Sequence, residues 1–112
     1  RIQVNTDNHI AGRETLAAVE ALTIGLSKEV ANVGVRVNAV RPGTVHTEIH
    51  AAGGEPDRVA RVAKNIPMGR GGEPDEIAQA IVWLASDRAG FVTGSILEAV
   101  ADFECRVGLA LR

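Results

Sequence analysis

From Ile10 onward the apolar positions recur at the spacing of a helix. Leu16, Val19, Leu22, Leu26 and Val30 form one stripe, and Ala17, Ala21, Ile24 and Gly25 form a second, flatter one. Asp7 or Asn8 would cap the start and Gly34 would end it, so the pattern predicts a helix over about 10–33. One apolar face needs only a sheet to cover it, and a second flat face predicts a partner helix. Directly after Gly34 the run VRVNAV, Val35 to Val40, reads as a strand. Too little chain separates the two for a hairpin turn, which fits a helix feeding a buried parallel strand.

The loop RPGTVHT, Arg41 to Thr47, follows that strand, and Pro next to Gly marks a sharp change of direction. A small-residue segment, HAAGGEPD, comes next, with Gly53 and Gly54 suiting a movable flap. A short helix over about 56–65 would turn Val59, Val62 and Ala63 to one side. After the connector IPMGRGGEP, Pro74 with Asp75 and Glu76 makes a well-formed helix start, because Pro suits the first turn and carboxylates oppose the helix dipole there. Ile77, Ala80, Ile81 and Leu84 give this helix its inner face, with Trp83 at the border and an end near Ser86. The run FVTGSILEAV predicts a turn at Thr93 and Gly94, then a last strand from Ser95 to Val100. The order helix, strand, loop, helices, strand is the second part of an α/β layered fold. Two strands make an incomplete sheet, so the expectation is one partial domain over 1–112, with a polar lead-in at 1–9 and a tail without clear period at 99–112.

Composition narrows the function. With 46% hydrophobic and 23% charged residues the 112-residue chain is globular in character. A net charge of −2 and 3% aromatics leave neither a phosphate-tracking basic stripe nor base-stacking platforms, so nucleic acid is not an expected partner. No apolar run reaches the roughly 20 residues that span a bilayer, and no membrane partner is expected. The single Cys105 has no internal partner and suits a reducing compartment, which points to the cytoplasm. The chain opens on Arg1 and not on Met, which suggests a piece of a longer protein.

Two long stretches carry a specific resemblance. ALTIGLSKEVANVGVRVNAVRPGTVHTEIH, followed by IPMGRGGEPDEIAQAIVWLASDRAGFVTGSIL, resembles the C-terminal half of a short-chain dehydrogenase/reductase, with several motifs in matching order over about 17–97. The resemblance implies the C-terminal part of a Rossmann-type, doubly wound parallel sheet. It also implies NAD or NADP as cofactor and interconversion of an alcohol with a ketone or aldehyde by hydride transfer on a small-molecule substrate. By the same resemblance Pro42 and Gly43 would shape a cofactor loop. The Val45 backbone would meet the nicotinamide carboxamide, and the Thr47 hydroxyl would bond the carboxamide or a phosphate. Such a loop lies beyond the carboxyl end of its strand, where ligands of open parallel sheets bind.

The family's Tyr and Lys do not accompany the loop. The sequence has no Tyr, and anchoring on AAVEALT puts the expected pair at Gly12 and Leu16, neither of which can carry a proton. His9 and Arg13 have the right spacing but lie three residues early, a displacement of about 4.5 Å along a helix. No catalytic residue is therefore assigned. A Gly-rich pyrophosphate turn is also missing: GRGG, Gly69 to Gly72, follows no strand and reads as a plain turn. After SILE the family's wording also ends.

His46, Glu48 and His50 place two imidazoles four apart, but the spacing is not HExxH and no third ligand accompanies them, so no metal is assigned. Ser27, Ser86 and Ser95 lack a nucleophile elbow. Cys105 has only Arg106 as a cationic neighbour. The sequence thus predicts a truncated oxidoreductase that is inactive alone. The alternatives are a non-catalytic binding fragment, pairing with itself through the helix at 10–33 and the last strand, or a decayed gene product without selected function.

Overall fold

The computed structural model describes residues 10–99, apart from the side chains of residues 10–15 and 49. In chain order they form helix α1 (Ile10–Val30), a 3-10 turn (Ala31–Val33), strand β1 (Ala39–Pro42), the short helices α2 (Ile49–Ala52) and α3 (Arg58–Ala63), helix α4 (Pro74–Ala85), a second 3-10 turn (Asp87–Ala89) and strand β2 (Ile96–Ala99). The strands pair with each other. Ala39 donates its amide to Ser95 and Gly43 donates to Ala99, at 2.9 and 3.0 Å. The unchanged offset between these pairs makes the sheet parallel. The fold is α/β with an incomplete, two-stranded parallel sheet. No described helix is long and apolar enough to cross a membrane.

The described residues divide into two compact units, one of 10–40 with 78–97 and one of 41–77 with 98–99. In the first, α1 ends as its glycine requires: Gly34 takes φ 78° and its amide bonds Ala31 O at 3.1 Å, closing the last turn in the left-handed conformation that Gly adopts cheaply. The predicted buried stripes of α1 are corrected. Leu16, Val19, Leu22, Ile24 and Leu26 are exposed, whereas Thr23 and Ser27 are buried at 6% and 3% exposure. Their hydroxyls satisfy themselves locally, Thr23 donating to Val19 O and Ser27 to Ile24 O, both at 2.8 Å. Which helix face is buried depends on what lies opposite, and two strands are too little sheet to cover a helix of 21 residues. Opposite Ser27 lies the Gly94 turn.

The first strand also begins later than the predicted Val35. Before Ala39 side chains stand in for ladder bonds: Val37 N–H donates to Thr93 Oγ1 at 3.1 Å, and Ser95 N–H donates to Asn38 Oδ1 at 3.0 Å. The regular ladder starts only at Ala39. Arg36 spreads its guanidinium over three carbonyls, Leu84 at 2.7 Å, Ser86 at 2.9 Å and Val92 at 3.2 Å. Leu84 lies in the last turn of α4 and Ser86 just beyond it, so a cation sits where the helix dipole is negative and its carbonyls lack partners. Leu84 is buried as expected, but Ile81 is 52% exposed.

In the second unit Val45, Val59 and Ile66 are the buried apolar residues. Helix α3 lies inside its predicted range and buries Val59, while Glu55 pairs with Arg58 at 3.5 Å and with Arg61. The small-residue segment contributes the single turn of α2, which no apolar period announced. Gly71 is a close-approach position: a Cβ there would lie 2.5 Å from Val59 Cγ1 and 3.2 Å from His46 Nε2.

Candidate functional site

Beyond Pro42 the chain leaves the sheet through Gly43, and the following loop is fixed at successive peptides. Gly43 N–H is held by Ala99 O at 3.0 Å, Thr44 O accepts from Gly72 N–H at 2.9 Å, and His46 N–H donates back to Gly72 O at 2.9 Å. Val45 thereby forms an isolated parallel bridge with Gly72. The Val45 carbonyl accepts from His50 Nε2–H at 2.9 Å, which requires the proton on that nitrogen.

This loop walls a cavity of about 230 Å³. Gly43, Thr44 and Val45 form one side, Ile66, Met68 and Ile77 supply apolar surface, and Arg70, Glu76 and Glu98 contribute the charged part. Because Gly43 and Ala99 directly follow or end the strands, the cavity lies at their carboxyl ends.

The charges at the cavity are spent on each other. Arg70 grips Glu76 with both guanidinium branches, at 2.7 and 2.8 Å, and Glu73 N–H donates to the same carboxylate at 2.8 Å. Glu76 is three residues past Glu73, so this last bond is the carboxylate half of a capping box at the start of α4. Arg70 first, and then the Glu73 amide, hold the Glu76 carboxyl down at about 2; the pairing raises Arg70 in return. Glu98 pairs with Arg41. The result is a largely apolar recess whose charges are neutralised pairwise, which suits a neutral group better than a phosphate.

Of the loop residues singled out in the sequence, Gly43 and Val45 line the cavity, while Pro42 and Thr47 are exposed and outside its lining. Thr44 and Arg70 join the lining with no signal in the sequence, and Glu76 and His50, read there as a helix start and a metal candidate, serve this loop instead. Gly72, expected only as part of a turn, is the residue that clamps the loop with both its amide and its carbonyl. Gly69 takes φ 72°, as a turn does. The two imidazoles of HTEIH diverge: His50 turns to Val45 O, and His46 lies 4.0 Å from Glu73 Oε1. Among the described residues no three His, Cys, Asp or Glu side chains gather as metal ligands. Gly12 and Leu16 lie in α1, and Leu16 is exposed. His9, the Arg13 side chain, the candidate caps Asp7 and Asn8, Val100 and Cys105 lie outside the described residues.

Comparison with known proteins identifies the family and the fold. The family described as Enoyl-(Acyl carrier protein) reductase matches residues 3–100. The uncharacterized oxidoreductase YgfF of Escherichia coli (strain K12) is 63% identical over 81 residues, 72% of this chain and 33% of that protein. Among solved structures, a short-chain type dehydrogenase/reductase from Mycobacterium marinum matches with a TM-score of 0.76 and 33% identity, over 85% of this chain and 37% of that one. A 3-oxoacyl-(acyl-carrier protein) reductase from Brucella melitensis, solved with bound NAD, matches with a TM-score of 0.72 and 32% identity, over 82% of this chain and 32% of that one. The chain spans about a third of the length of these relatives. The matching family, the shared fold and the loop at the carboxyl ends of the strands lead to one conclusion: the chain belongs to the short-chain dehydrogenase/reductase family of oxidoreductases.

Proposed function

We propose that this chain is the nicotinamide-side part of an NAD- or NADP-dependent oxidoreductase that interconverts an alcohol and a ketone or aldehyde, and that it does not catalyse the reaction alone. The observation that carries the reading is the cavity at the carboxyl ends of β1 and β2, with Gly43, Thr44 and Val45 on its wall. At about 230 Å³ it is smaller than the roughly 300–1,000 Å³ of sites for drug-sized ligands, so it fits one ring with a small polar substituent and not a whole dinucleotide. Gly43 lets the backbone come close, the Val45 backbone meets the carboxamide, Pro42 sets the loop's departure and Thr47 offers a hydroxyl from outside the recess. The bound nicotinamide would supply hydride exchange with the substrate carbon. The proton exchange that accompanies it needs an acid or base at the substrate oxygen, and the chain has no Tyr to provide it. A reducing, cytoplasmic setting agrees with the single cysteine.

The test is thermal unfolding of the purified chain during titration with NADH and NADPH. A ligand that binds only the folded state raises the midpoint by mass action. A midpoint that stays flat to millimolar cofactor removes the cofactor reading. A second reading is favoured by the exposed Leu16, Val19, Leu22 and Leu26 of α1. In it this face pairs with another copy or with an intact relative, and sedimentation at several concentrations decides it.

A further inference from the structure

We propose that His50 is the positioning residue of the cofactor loop: it fixes the peptide plane between Val45 and His46 and thereby the backbone that meets the nicotinamide carboxamide, an inference that rests on the function proposed above. Two bonds grip opposite ends of this one peptide. The His46 N–H is held by Gly72 O at 2.9 Å, and the Val45 carbonyl is held by His50 Nε2–H at 2.9 Å. With only the first bond the plane could swing about it; with both it has one orientation. The preceding peptide is fixed through Thr44 O, which Gly72 N–H engages. In a trans peptide the N–H points opposite the carbonyl, so the Val45 N–H is directed away from Gly72. His50 reaches back five residues from α2 to complete this arrangement. Both the neutral imidazole protonated at Nε2 and the imidazolium can donate to a carbonyl, so the grip does not depend on the charge of the ring. A backbone held in its binding orientation loses less freedom when a ligand arrives.

Three variants of the full chain test the assignment: His50→Ala, His50→Phe, which keeps bulk without the donor, and His50→Gln, which restores a donor. Amide exchange without cofactor should be about tenfold faster at His46 and Gly72 in the Ala and Phe variants, the loss of one hydrogen bond, and close to the parent in the Gln variant. NADH binding, followed by its fluorescence, should weaken about tenfold in Ala and Phe and recover in Gln. Unchanged exchange in both Ala and Phe overturns the assignment. So does NADH binding that is equally tight in all variants, and in that case the cofactor reading survives. Absence of NADH and NADPH binding by the parent chain instead fails the cofactor reading, and with it the role of His50 toward the carboxamide. The exchange data then still decide whether His50 holds the loop.

Discussion

Gly94 runs directly over Ser27: a Cβ at position 94 would lie 2.6 Å from the Ser27 hydroxyl oxygen, and Gly94 itself takes φ 69°. Its amide is committed to Val37 O at 2.7 Å, so the turn cannot back away without losing a bond. Gly94→Ala should therefore destabilise the chain by on the order of 2–4 kcal/mol, combining the left-handed backbone penalty with overlap against the helix. Adding Ser27→Ala should return the overlap part and leave the backbone part. Urea midpoints of the single and double variants measure both, and a single variant as stable as the parent refutes the close packing.

Arg36 makes the longer connection. Its three carbonyl acceptors lie at the end of α4, just beyond it at Ser86, and at Val92 past the second 3-10 turn. Lysine keeps the charge but cannot fork, so Arg36→Lys should cost about 2–3 kcal/mol, and Arg36→Ala more, because several carbonyls lose a charge-assisted donor. Chemical denaturation is the measurement. A lysine variant with parental stability would show that charge alone matters there.

Acid stability should carry the signature of Glu76. Its carboxyl is held at about 2 in the folded chain, against an ordinary value of 4.5, by Arg70 and the Glu73 amide. Because the folded value is the lower one, the unfolded chain takes up the proton first. The contribution is complete above about 4.5 and disappears as the pH falls from there to about 2. Glu76→Gln should flatten that part of the curve of melting midpoint against pH. Parent and variant losing stability in parallel across this window would contradict the assignment.

The outward face of α1 gives a fourth expectation. Leu22 is 65% exposed and Leu26 38%. Replacing both with Lys should change the stability of the single chain by no more than about 0.5–1 kcal/mol. If the face pairs chains, the same change should abolish association in sedimentation. A large loss of stability in a strictly monomeric chain would mean that the face is covered after all.

What the sequence made legible is what local chemistry decides. The α1 stop at Gly34, the start of α4 at Pro74 with its acidic first turn, and the turn at Gly94 each depend on a residue whose backbone options are restricted on their own account. The buried face of α1 is not legible in the sequence, because Thr23 and Ser27 are buried by what approaches them and not by their hydropathy. The late start of β1 was hidden because Asn38 and Thr93 stand in for ladder bonds across a long separation. At the site, Pro-Gly announced the loop, and Gly43 and Val45 line the recess. The parts that close it, Gly72, Arg70 with Glu76, and His50, act through contacts that no periodicity encodes. The RVN of RVNAVRPG points to Arg36 and Asn38, since two polar residues alternating inside an apolar run need acceptors and donors somewhere.

The spacing between the paired segments also sets a schedule. Arg36 meets Val92 and Val37 meets Thr93 across 56 positions, and Gly43 waits for Ala99 at the same remove. At roughly 5–20 residues per second on a ribosome, the loop is made several seconds before the residue that anchors it. The recess therefore cannot close until Ala99 has been made, long after its first wall at Gly43. Until then its apolar wall is open to whatever else is nearby.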